Sequence, residues 1–88
     1  MDEKKSAVAQ QRVEIEIYGE IYKLKTDDPD GLNKLAQMVD STMKSIAHNT
    51  RTFTGSRIAV LSALKIAEDY MQLKKDYDEL LALLDENK

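Results

Sequence analysis

The chain has 88 residues (10.0 kDa), 16 acids against 13 bases, one histidine and no cysteine. That size holds at most one domain, and the missing cysteines exclude disulfides and thiolate metal sites. A chain this short buries a modest fraction of its surface by itself, so oligomerisation is the expected source of further stability.

Residues 1–11 are polar and aperiodic and are expected to form a disordered tail. They contain no apolar run of the kind a secretory signal needs, and no run in the chain approaches the roughly 20 apolar residues of a membrane span. A cytoplasmic protein is expected.

The stretch RVEIEIYGEIYKLKT follows. Val13, Ile15 and Ile17 alternate with Glu14 and Glu16, the period of a half-buried strand. Gly19-Glu20 suits a two-residue turn with glycine first. This predicts a hairpin in which Tyr18 faces Ile21, Ile17 faces Tyr22 and Ile15 faces Leu24. Val13, Ile15, Ile17, Tyr22 and Leu24 then form one apolar face, and Glu14, Glu16 and Lys23 share the other. An isolated hairpin is marginal in water, so the apolar face must rest on something.

Asp28 is a candidate N-cap with Pro29 at the first helical position. Leu32, Leu35, Ala36, Val39, Met43 and Ile46 recur at spacings of three and four, predicting an amphipathic helix to about Ala47. Gly31 in its first turn should cost about 1 kcal/mol relative to alanine. A polar connection runs from His48 to Gly55, and either Thr54 or Ser56 suits the N-cap of a second helix.

From Ser56 to Asn87 there is neither proline nor glycine. One helix of about 30 residues, some 45 Å long, is predicted. Ala59, Ala63 and Ala67 make a small-residue ridge, and Ile58 and Leu61 belong to the apolar first half. Ile66, Tyr70, Leu73, Tyr77, Leu80 and Leu84 alternate spacings of four and three, the seam of a coiled coil. The predicted architecture is α+β: an N-terminal β-hairpin, one medium helix and one long C-terminal helix ending in a coiled coil. A head over residues 12–55 and an oligomerisation helix over 56–88 are expected.

The hairpin and first helix are too short to cover the whole long helix. Burying six seam residues is worth on the order of 10 kcal/mol per chain, against an association cost of about 4–15 kcal/mol. Self-association is therefore expected. The dimer would rest on Ile58–Tyr70. The closing LLALL broadens the apolar face and suits a tetramer.

Residues 41–67 carry Lys44, Arg51, Arg57 and Lys65 and no acid, leaving nine bases and all 16 acids to the rest. Composition leaves two readings open: ordinary scatter of charge, or a surface kept free of acids for an acidic partner.

Catalytic and cofactor chemistry find no constellation. His48 stands alone in a polar stretch. Asp27, Asp28 and Asp30 lack the twelve-residue spacing and closing glutamate of a calcium loop, and they suit a helix start. Gly55-Ser56-Arg57 lacks the spacing and lysine of a phosphate loop. A nucleic-acid surface has only Arg51, Arg57 and Phe53 to draw on, and the chain is acidic overall. No enzyme activity, cofactor, metal, nucleic acid, membrane or small-molecule substrate is expected.

The runs VEIEIYGEIYKLKT, GLNKLAQMVDSTM and RIAVLSALKIAEDY, in this order over about residues 13–85, resemble the ZapA family of bacterial cell-division proteins. The most specific pieces are Ile17-Tyr18-Gly19, the LA..VD..M run at Leu35–Met43, and AVLSALKIA at Ala59–Ala67. The resemblance implies a non-enzymatic protein that binds FtsZ, the tubulin-like GTPase of the division ring, and cross-links its filaments at mid-cell. It also implies a dimer that joins into a tetramer through the C-terminal helices, with heads at both ends. The family's Thr-Arg pair before the long helix is matched by Thr50-Arg51, which makes Arg51 the first candidate for filament contact. Lys44, His48, Lys23 and Arg57 are the others. Some relatives carry a base after the hairpin glycine, where this chain has Glu20, so no contact role is carried to that position. The expected oligomer interface is Ile58, Ala59, Leu61, Ala63, Ile66, Ala67, Tyr70, Leu73, Tyr77, Leu80 and Leu84. The alternative is a generic oligomeric coiled-coil adaptor that binds another acidic protein through its basic loop.

Overall fold

The computed structural model describes residues 9–50 and 54–86. Strands β1 (Gln11–Ile17) and β2 (Glu20–Thr26) form an antiparallel hairpin, followed by helix α1 (Pro29–Asn49) and helix α2 (Gly55–Glu86). This is the predicted α+β arrangement. The expected tail over residues 1–11 lies largely outside the described residues, and β1 begins at its last position, Gln11.

The hairpin turn differs from the predicted one. Its central residues are Tyr18 (φ 52°) and Gly19 (φ 84°), the two successive positive φ angles of a type I′ turn, whose twist matches that of the strands. The pairing therefore runs Ile17 to Glu20, Ile15 to Tyr22, Glu14 to Lys23 and Val13 to Leu24. This register is two residues from the predicted one. Side chains alternate with period two, so an even shift leaves each face unchanged. Val13, Ile15, Ile17, Tyr22 and Leu24 still share the apolar side. Glu14 and Lys23 stand directly opposite on the other, with Lys23 Nζ 4.0 Å from Glu14 Oε2.

Asp28 caps α1. Its Oδ1 accepts from the Gly31 N–H at 3.0 Å, and its carbonyl accepts the first helical bond from Leu32 at 2.9 Å. Gly31 has a reason to be glycine: a Cβ there would run into the Asp28 carboxylate. At the other end Thr50 closes the helix, its hydroxyl donating to the Ile46 carbonyl at 2.7 Å. Helix α2 is capped by Thr54 rather than Ser56. The Thr54 carbonyl accepts from Ile58 at 3.0 Å and its hydroxyl accepts from the Arg57 N–H at 3.4 Å.

The core is small. Ile15 of β1, Ala36 and Met43 of α1, and Ile58 and Ser62 of α2 are buried. The buried Ser62 hydroxyl donates to the Ile58 carbonyl at 2.7 Å, so burial leaves it satisfied. Along α1, Leu32, Val39 and Ile46 are half-buried. Leu35, predicted to share their stripe, is exposed. It sits one position from Ala36, about 100° around the helix, outside the strip that β1 and α2 cover.

Candidate partner-binding surfaces

The hairpin tip is tied to α1. The Tyr18 N–H donates to Asp40 Oδ1 at 2.8 Å, across 22 residues of chain. Asp40 Oδ2 in turn lies 2.9 Å from Lys44 Nζ, one helical turn along. The backbone donor of Tyr18 and then the Lys44 ammonium hold the Asp40 carboxyl below its usual value. The same pairing raises the Lys44 ammonium above its own. The turn and Lys44 are thus joined through the two oxygens of Asp40.

The other cationic candidates are spread over the head. Lys23 lies on the solvent face of the hairpin opposite Glu14. His48 is exposed in the last turn of α1, where a cation would complement the helix dipole. Arg57 is in the first turn of α2. Arg51, the first candidate, lies outside the described residues.

The acid-free stretch is less positive in three dimensions than in sequence. Lys44 pairs backwards with Asp40, and Lys65 pairs forwards with Asp69 at 3.2 Å. Both acids stand just beyond the ends of residues 41–67. A count along the chain misses helical neighbours four positions away.

A second surface is apolar. Tyr22 and Leu24 of β2 find no cover from α1 and remain exposed. With Ile15, Val39, Met43 and Ala59 they line a groove of about 590 Å³ between hairpin and helices. The groove opens onto α2, most of which is bare. Among the described residues only Ile58 and Ser62 of this helix are buried, with Leu61 and Ile66 half-buried. Ile58, expected in the oligomer interface, is 1% exposed and belongs to the core of the single chain. Ala59, Ala63 and Ala67 are exposed. Tyr70, Leu73, Tyr77, Leu80 and Leu84 are exposed as well, Leu73 by 68% and Leu80 by 54%.

Val60, Leu64 and Met71 are also exposed; the first two fall within the expected Ile58–Tyr70 contact region, and none is among the interface residues named from the sequence. With Ala67 they repeat at four, three and four, the same seam spacing displaced by one stripe. That spacing was the available signal. Exposed apolar area on this scale, continuous along a helix, marks an interaction surface in a folded protein.

The hairpin and α1 pack on the start of a long helix whose apolar face is otherwise uncovered, and the comparisons with known proteins give the family of this arrangement. The family model described as "Cell division protein ZapA" matches residues 13–87, and the chain belongs to that family. A cell division protein ZapA of Geobacillus sp. (strain WCH70) is 37% identical over 78 residues, covering 88% of this chain and 90% of the relative. That of Geobacillus thermodenitrificans is 35% identical, over 83% and 81% of the two chains. Among solved structures, a ZapA mutant dimer from Geobacillus stearothermophilus superposes with a TM-score of 0.66 at 30% identity, over 86% of this chain and 90% of the other. A conserved protein of unknown function from Pseudomonas aeruginosa PAO1 shares the fold, with a TM-score of 0.75 at 23% identity, over 88% and 87%.

Proposed function

We propose that this chain is a non-enzymatic cross-linker of FtsZ filaments, acting in the cytoplasm at the mid-cell division ring. The observation that carries the reading is the bare apolar face of α2 from Val60 to Leu84, in a chain of the ZapA family. Two chains meet along the first half of α2. There the alanine ridge permits close approach, and the groove beside Tyr22 and Leu24 receives the partner copy. The dimeric state of the Geobacillus stearothermophilus relative supports this step. Two dimers then join through Leu73, Tyr77, Leu80 and Leu84 into a tetramer with heads at both ends.

Each head, residues 12–55, meets a filament through Lys44, His48 and Lys23, with Arg57 at the start of the long helix beside them; Arg51 is the first candidate that the family resemblance implies. The rod, residues 56–88, sets the distance between heads. Cross-linking follows from geometry: once one head is bound, the others search a small volume, so weak single contacts hold the assembly. A light-scattering assay of FtsZ assembled with GTP tests this directly. Wild type should raise the scattering. The Leu73→Glu/Leu80→Glu variant should bind filaments without raising it. Equal scattering from the two would contradict cross-linking through the rod.

A further inference from the structure

The hairpin reaches α1 through two kinds of contact. One is apolar, through Ile15 against a helix whose Ala36 and Met43 are buried. The other is the bond from the Tyr18 N–H to Asp40, the one hydrogen bond joining hairpin to α1 among the described residues. The apolar contact fixes the middle of β1. The turn itself, Tyr18 and Gly19, lies just beyond Ile17, where β1 ends. The tip is also locally unfavourable. Tyr18 is a non-glycine residue at φ 52°, where an L side chain crowds the following carbonyl. A type I′ turn ordinarily takes asparagine or aspartate at that position. Something beyond the turn must hold it, and the Asp40 carboxylate is positioned to do so.

Asp40 also fixes a second group. It lies on the α1 face toward the tip with its side chain about one-fifth exposed, and its other oxygen holds Lys44 at 2.9 Å. One carboxylate thus sets the relative position of a backbone turn and an ammonium 26 residues apart in sequence. We infer that Asp40 is the positioning residue of the head: it clamps the hairpin tip against α1 and presents tip and Lys44 as one rigid surface to the filament. The inference rests on the FtsZ-binding reading above for the partner, and on geometry alone for the clamp.

Two variants separate the roles. Asp40→Ala removes both contacts at a half-buried position inside α1, where alanine suits the helical backbone. Asp40→Asn keeps an oxygen to accept from the Tyr18 N–H. Two readouts are taken on each: amide proton exchange at Tyr18 by NMR, with Ser62 as an internal reference, and the fraction co-sedimenting with GTP-assembled FtsZ. With Asp40→Ala, Tyr18 exchange should speed by about tenfold or more, the effect of removing a charge-assisted bond. Ser62 should be unchanged and the filament-bound fraction should fall. With Asp40→Asn, Tyr18 protection should recover most of the loss, and binding should recover only in part, because the amide no longer pairs with Lys44. Unchanged Tyr18 exchange in Asp40→Ala would overturn the clamp. Faster exchange with undiminished binding would overturn its positioning role. If the wild-type chain fails to sediment with filaments, the FtsZ reading falls and takes the positioning role with it, while the exchange ratio still decides the clamp.

Discussion

Replacing Leu73 and Leu80 together by glutamate separates assembly of the rod from folding of the head. Within one chain these side chains are 68% and 54% exposed, and the head makes no use of them. The folded protomer should lose almost nothing, because exposed substitutions away from special features change stability by less than about 0.5 kcal/mol. The assembly should lose much more. Burying the exposed part of each leucine is worth about 1–2 kcal/mol, taking the exposed fraction of the 1.5–3 kcal/mol for full burial. Two leucines on each of four chains sum to about 8–16 kcal/mol, before any repulsion between the new carboxylates. A micromolar association is worth about 8 kcal/mol in all. Light scattering coupled to size exclusion should therefore show wild type as a tetramer and the variant as a dimer, with equal helicity by circular dichroism. A variant that stays tetrameric would refute the seam, and one that loses helicity would refute the separation of rod from head.

Other expectations follow from the head. Ile58→Ala should destabilise the protomer by about 2–4 kcal/mol, since the side chain is 1% exposed and its loss leaves a cavity; urea denaturation of dilute protein checks this. Gly31→Ala should leave stability nearly unchanged in a thermal melt. The gain of about 1 kcal/mol in helix propensity is offset by loss of the Asp28 cap, also worth about 1 kcal/mol, because the new Cβ displaces the capping carboxylate. A full gain would show that the cap contributes little. Asp40 also gives a pH signature. Its carboxyl is held below the ordinary value of 3.8, chiefly by the Tyr18 N–H and then by Lys44. Its contribution is therefore complete above 3.8 and disappears as pH falls below it through the folded value. Asp40→Ala should flatten the acid side of the stability profile below that pH and leave its slope near neutrality alone.

The elements of the fold are readable in the chain because each carries a local signal: alternation in β1, Asp28-Pro29 at the start of α1, and an unbroken helical pattern in α2. The turn is where local reasoning misleads. A tyrosine in the first central position of a type I′ turn is unfavourable by local rules, so Gly19-Glu20 looks like the better turn. The residue that favours the observed one, Asp40, is 22 positions away and belongs to tertiary structure. The faces survive the error because the register moves by an even number. Leu35 shows a different limit. Periodicity identifies an apolar stripe but not how much of it the neighbouring elements cover, and this head is too small to cover the edge. The cationic surface is the least legible part, since two of the four bases in the acid-free stretch pair with acids just outside it.

The central claim is that the chain binds FtsZ filaments through cationic residues, Arg51 first among them. It is tested most directly by co-sedimentation with GTP-assembled FtsZ, comparing wild type with Arg51→Glu. The account predicts that wild type appears in the filament pellet and that the variant, still oligomeric and folded, stays in the supernatant. Equal pelleting of the two would remove Arg51 from the contact surface. Absence of wild type from the pellet at low salt would contradict filament binding itself.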